Sequence, residues 1–333
     1  MSATSPSLPA PLAPPALSPA PMPMPMLRSL APLLIEGADA RALLQGQISN
    51  DVRRLTPQRA LLASCNSAQG RVQCVLTLMQ RDEGFVALVP ASMVTSLLAR
   101  LRPYVLRAKV AFHPDPECWA LSPVSRFDAV AVVGTPPGAP GECLTLGGVS
   151  VLRWWSADER YVLLSARGAV ATAAETIEDS LWRRADIAAG LPQVYPQTLG
   201  SFVAQMLNLD LLNAISFDKG CYAGQEIIAR THYRGSIKRR MFRFSAACAA
   251  PDPGTRVLDG AVGVGEVVDS VDRPPGAAPP GCELLAVVSL EHVPAALSLD
   301  GVNGSTLTLM PLPYEPDPPR VADQSTIRPL ERL

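Results

Sequence analysis

Residues 219–226 read Lys219-Gly220-Cys221-Tyr222-Ala223-Gly224-Gln225-Glu226, and the apolar Ile227, Ile228 and Ala229 follow. The two glycines permit a tight turn, and Gln225-Glu226 open a predicted helix. Cys221 then stands just ahead of a helix N-terminus with Lys219 two residues away, and both features favour a thiolate over a thiol. Two readings of these residues stand side by side. One is a functional thiol, with Cys221 and Lys219 as the candidate catalytic pair. The other is a buried structural cysteine in a turn, since free cysteine is among the most buried residue types.

Upstream, residues 33–35 predict a short strand, followed by a helix from about Asp39 in which Ala40, Leu43, Leu44 and Gln47 fall at helical spacing. Residues 60–66 and 71–79 read as strands around the Gln69-Gly70 turn, with 85–89 a third. Ser92 is the expected N-cap of a helix that buries Met93, Val94, Leu97, Leu98 and Leu101 and stops before Pro103. Between 114 and 148, Pro- and Gly-rich turns surround β runs at 129–133 and 149–155; 161–165 adds another, and a helix is expected over roughly 169–181. Beyond residue 238 the helical pattern ends, and strands at 240–246, 262–271, 284–291 and 306–310 predict a small antiparallel barrel or sandwich. Gly260, Gly263 and Gly265 do not match GxGxxG and sit in a β context, which predicts a hairpin rather than a phosphate cradle. Helices and strands without regular alternation predict an α+β chain rather than a doubly wound sheet.

Composition bounds the function. The 333 residues are 48% hydrophobic, enough for a sizeable core, and the formal net charge of −1 argues against a surface built wholly for polyanions. Seven cysteines are scattered without a CxxC pair, and the three histidines (His113, His232, His292) lie far from metal-ligand spacing. Reduced thiols in a cytoplasmic protein are therefore expected, with neither a disulfide framework nor a zinc site. No apolar run approaches the roughly 18 residues that span a bilayer. The first 26 residues hold nine prolines and no charged or continuous apolar stretch, so 1–26 read as a disordered tail rather than a secretory signal. Residues 315–333 are expected to be a second flexible tail, and without export Asn303-Gly304-Ser305 carries no meaning for glycosylation.

The motif at 219–226 resembles that of the YgfZ family, bacterial relatives of mitochondrial iron–sulfur maturation factors with the fold of the glycine-cleavage aminomethyltransferase. The likeness extends upstream to Ser216-Phe217-Asp218 and downstream to Ala229-Arg230, Arg234-Gly235 and Lys238-Arg239. Near the N-terminus, Gly37-Ala38-Asp39 and Gln45-Gly46-Gln47 with Asp51-Val52 resemble the family's first helix; Pro311-Leu312-Pro313-Tyr314 resembles its closing strand. The resemblance implies a three-lobed fold around a central hole that holds tetrahydrofolate or another reduced folate. Its expected layout is a folate-binding region over 27–235, with a second lobe at about 115–180, and a C-terminal β-barrel over 236–314.

Further expectations follow from that resemblance. Trp182, ahead of Ala189-Gly190-Leu191-Pro192, occupies the position of a folate-contacting tryptophan, and an indole can stack on a pterin or aminobenzoyl ring. Leu30 stands where a second such tryptophan is found, and Ala188 replaces a common glutamate, with Asp186 two residues back and on the same face if the segment is a strand. Tyr222, Gln225 and Arg230 complete the expected folate contacts. Gln73 stands where true aminomethyltransferases carry a catalytic aspartate; glutamine cannot act as a general base, so aminomethyl transfer is not expected. The implied function is accessory: assembly or repair of iron–sulfur clusters in client enzymes such as a tRNA methylthiotransferase. A folate-dependent one-carbon transferase is the alternative.

A third reading uses the basic cluster Arg230, Arg234, Lys238, Arg239, Arg240 and Arg243, interleaved with His232 and Tyr233. It fits a folate polyglutamate tail, an acidic partner or RNA phosphates, and equally a solvated face joining helix to barrel. The near-neutral charge and lack of a recognised RNA motif argue against direct nucleic-acid binding.

Overall fold

The computed structural model describes residues 24–82, 84–114, 118–170, 179–277, 279–293, 295–302 and 306–316. The expectations for residues 1–23, 303–305 and 317–333, and for most of the 169–181 helix, lie outside the described residues.

The first region begins with β1 (Leu30–Glu36) and α1 (Ala40–Gln47). It continues through β2 (Leu61–Asn66), β3 (Val72–Arg81), β4 (Gly84–Pro90), α2 (Val94–Leu101) and β5 (Ala111–His113). These strands form an antiparallel sheet in the order β2-β3-β4-β1-β5. β4 is buried along its whole length and β1 nearly so, which explains their unbroken apolar runs in place of alternation. Leu33, Ile35, Leu78 and Leu88 are almost fully buried, each stabilising the fold by about 1.5–3 kcal/mol. Ser92 does not cap α2; it lies in a 3-10 turn, Ala91–Met93, that leads into the helix without a side-chain cap.

The second region holds β6 (Trp119–Val124), α3 (Arg126–Val133), β7 (Cys143–Leu146), β8 (Val149–Arg153) and β9 (Tyr161–Ala166), with sheet order β6-β9-β8-β7. The β run expected at 129–133 is part of α3. Its valines favour a strand by propensity, but the Ser125 hydroxyl accepts from Asp128 N and Asp128 accepts in return from Ser125 N, a capping box that starts a helix. Met24, which the sequence reading placed in the tail, belongs to this region's core, packed with Val151, Tyr161 and Leu163.

Next comes α4 (Asp179–Ala189), which includes Trp182 and makes the Asp186 segment helical rather than extended. A run of turns follows before α5 (Gln225–Arg234). The remaining strands are β10 (Arg239–Ala246), β11 (Arg256–Asp259), β12 (Val262–Asp272), β13 (Cys282–Ser289), β14 (Leu297–Leu299) and β15 (Thr308–Met310). They pair antiparallel in the order β14-β11-β12-β13-β10-β15. The sheet curls, and among the described residues its edges meet at the bridge Ser298 to Thr306. It is a curled half-barrel, and closure into the small barrel expected is not shown. Gly260 turns the β11–β12 hairpin at φ +59°, as the sequence predicted for this glycine-rich stretch.

One buried cluster joins all three sheets: Leu33 and Leu88, Leu152 and Leu164, Trp182 and Ile187, then Met241, Val268 and Leu285. Buried ion pairs tie the C-terminal sheet to the rest. Arg183 of α4 pairs with Asp269, which also accepts from the Tyr195 hydroxyl at 2.9 Å. Arg240 grips Asp210 with two bonds of 2.6 and 2.9 Å. Pairs of this geometry offset the cost of removing both charges from water and fix how the lobes meet.

Candidate functional site

Two stretches about 170 residues apart in sequence meet at the cysteine loop. Lys219 is buried, and its Nζ donates to Gln45 O, Ile48 O and Asn50 O, each at 2.8 Å. Gln45 and Ile48 carry carbonyls left open at the C-terminal end of α1, where a cation is favoured by both hydrogen bonding and the helix dipole. Ala223 N donates to Gly46 O at 3.1 Å, and the Gln45 side chain bridges Asp51 and Val52 N. Burial pushes the Lys219 ammonium down to about 8, with the Asp51 carboxylate opposing. The Arg53 guanidinium beside Asp51 holds that carboxyl well below the usual range.

The loop's second glycine has a steric reason. Gly224 adopts φ +80° as the N-cap of α5, and a Cβ there would sit 2.5 Å from Ser67 O and 2.8 Å from Gly70 Cα. Gly220 meets nothing within 4 Å of an added Cβ, so packing does not require it. Between them Cys221 is exposed, which removes the buried-cysteine reading. Lys219 does not activate it by direct contact, because all three ammonium hydrogens are spent on carbonyls. The same Nζ lies 4.9 Å from the Tyr222 ring centre.

A channel runs where the three regions meet. Its main cavity, about 350 Å³, is walled by Asn50, Arg59 and Leu62 of the first region, Trp155 of the second, and Leu191 and Tyr314 beyond. Leu62, Trp155 and Leu191 continue into a narrow end with Leu30, Trp154 and Gln193. Ser156, Ala157, Ala189 and Pro313 continue into an opposite cavity of about 300 Å³ that reaches Arg243.

The walls are rigidly held. Trp155 Nε1 donates to Thr77 Oγ1 at 2.8 Å, and Gly141 (φ +83°) makes room for its ring, which a Cβ would approach to 2.6 Å. Tyr314 donates to Gly190 O at 2.7 Å, a contact that only a glycine at φ +66° permits. Asn50 Nδ2 bonds Leu62 O and Asn213 O. One acceptor in the narrow end, Gln193 Oε1, is buried with no partner, a state that costs about 1–3 kcal/mol. Arg59 is exposed at the wide cavity and makes no salt bridge among the described residues.

The expected folate residues are therefore distributed unequally. Leu30 lines the narrow end. Trp182 is 6% exposed and lies behind the wall, edge-on to Trp154 at 5.2 Å, with the Arg160 guanidinium 4.6 Å over its ring. Asp186 is committed to Trp154 Nε1 and Arg160, each at 2.8 Å; burial raises its carboxyl while Arg160 opposes. Tyr222 is buried under Lys219, Gln225 accepts from Tyr222 N in its own turn, and Arg230 is exposed on α5; none of the three lines the channel. Gln73 lies against Gly200, also outside the lining. The sequence reading missed Trp155, Gln193 and Arg59; the Trp154-Trp155 pair at a strand end was the one signal available.

The basic cluster splits in two. Arg240 and Arg243 are internal, paired with Asp210 and Glu283. Arg230, Arg234, Lys238 and Arg239 are exposed beside His232, whose ring stacks on Phe217 at 3.8 Å. Among the described residues no group of three or more His, Cys, Asp or Glu side chains could hold a metal ion, and no helix is long and apolar enough to cross a membrane.

No protein-family profile matches the chain. Among solved structures, the crystal structure of the glycine cleavage system aminomethyltransferase T from Bartonella henselae is similar at 12% sequence identity, with a TM-score of 0.66 over 88% of this chain and 86% of that one. That likeness covers all three regions and shows that the chain has the aminomethyltransferase fold.

Proposed function

We propose that the protein binds a reduced folate in the central channel and serves as an accessory factor for iron–sulfur enzymes through Cys221. The channel carries the first half of this reading. Its volume suits a drug-sized ligand, its walls are mainly apolar, and Asn50 and Tyr314 in them are fixed by hydrogen bonds. The residues present fit a folate. Trp155 offers an indole in the wall, and the Arg59 guanidinium suits the carboxylates of a glutamate tail. A bound folate would supply one-carbon chemistry; this chain's residues hold and orient it.

The motif resemblance supports the finer half, and the exposure of Cys221 is consistent with a thiol that meets a partner protein. A single thiol makes a poor permanent cluster site, because clusters take about four ligands, so the cluster belongs to a client. Folate binding is tested by calorimetric titration of tetrahydrofolate. Trp155→Ala should weaken it by about 1–3 kcal/mol, the range for lost aromatic stacking. Unchanged affinity in a folded variant would remove the channel from the proposal.

A further inference from the structure

Cys248 and Cys282 stand apart from both the channel and the Cys221 loop, on the curled C-terminal sheet. β10 and β13 run antiparallel with Ala246 opposite Cys282. Cys248, two residues past the end of β10, brings its Sγ to 3.9 Å from the Cys282 Sγ. Gly281 permits the approach: at φ +144° it lies where a Cβ would come 2.1 Å from Ala246 O. Cys282 is buried, whereas Cys248 is half-buried and faces an open cavity of about 390 Å³ formed with residues 272–277 and 280–281. Cys65 and Cys74 are also register partners across β2 and β3, but both are fully buried and closed to any reagent. Among the described residues, Cys248 and Cys282 are the pair that combines sulfur contact with access.

We propose that Cys248 and Cys282 form a reversible disulfide by exchange with a low-molecular-weight disulfide. Cys248 loses its proton to solvent and attacks one sulfur of the small disulfide. That S–S bond breaks, a mixed disulfide forms on Cys248, and one small thiolate leaves and is protonated. Cys282 then gives up its proton, attacks Cys248 Sγ and expels the second small thiolate. Two protein thiols are oxidised by two electrons, and the small disulfide is reduced to two thiols. Closing the sulfurs from 3.9 Å to the roughly 2.05 Å of a bond needs only local movement. Burial and the neighbouring Cys248 push the Cys282 thiol up to about 12, so its deprotonation is the slow step of closure and its departure the slow step of reopening; exchange is reversible but slow in both directions.

The test equilibrates the full chain in glutathione buffers from reducing to oxidising, traps free thiols with iodoacetamide and maps peptides by mass spectrometry. The expected result is a crosslinked 248–282 peptide pair, lighter by two hydrogens than the two thiol peptides, rising with a single midpoint together with Tm. Cys248→Ser should abolish the crosslink and the Tm rise while leaving glutathione adducts on the exposed Cys118 and Cys221. A Cys248 adduct that persists without a crosslink, or a Tm rise that survives in Cys248→Ser, overturns the proposal.

Discussion

Replacing Lys219 by methionine keeps an unbranched side chain one atom shorter but leaves Gln45 O, Ile48 O and Asn50 O facing an apolar tip. Hydrogen bonds to a charged donor contribute about 1.5–3 kcal/mol each, so three set the gross loss. The native ammonium also costs something to bury. A displacement from 10.5 to about 8 corresponds to about 3 kcal/mol at about 1.4 kcal/mol per unit, which the methionine recovers. The net loss at neutral pH should be about 1.5–6 kcal/mol, read from urea unfolding. The sign of the pH dependence follows from the depressed folded value. Below about pH 8 both states hold the proton and the burial cost is fully present; between about 8 and 10.5 the folded state releases it first, the unfolded chain binds more protons, and stability rises with pH. The advantage of wild type over Lys219→Met should therefore widen across that window. A methionine variant as stable as wild type at pH 7 refutes the carbonyl-clamp account, and a constant difference across the window refutes the burial-depressed titration. Iodoacetamide kinetics separate this from direct thiol activation: in the native variant the Cys221 rate should stay unchanged.

Three further outcomes are expected. Trp182→Ala should destabilise the fold by about 3–5 kcal/mol, as for a buried tryptophan, while folded protein keeps its folate affinity; a selective loss of affinity would return Trp182 to the binding site. Met24→Ala should lower stability by about 2 kcal/mol or more, since this side chain packs with Tyr161 and Leu163; unchanged melting would show that order begins later. Cys221→Ser should fold and bind tetrahydrofolate normally yet fail to restore iron–sulfur enzyme activity in a deletion strain, and full complementation would leave the channel as the whole of the function.

The strand pattern of the first region, the β11–β12 hairpin and the start of α5 were legible because each is decided within a few residues, by apolar spacing, glycine turns and the end of a periodic run. α3 departs from the strand propensity of its valines because the Ser125–Asp128 capping box, equally local, starts a helix there.

The sequence by itself determined a cysteine loop ahead of a helix, and the geometry there agrees: Cys221 is exposed, and Gly224 alone fits against Ser67 and Gly70. The tertiary structure decided what surrounds that loop. Lys219 finds acceptors 169 to 174 residues away, and no local pattern distinguishes a lysine that caps a distant helix from one beside a thiol. It also decided that Trp155 rather than Trp182 lines the channel. Only the packing of the second sheet against α4, with Asp186 holding Trp154 and Thr77 holding Trp155, sets which indole reaches the cavity and which is buried behind it.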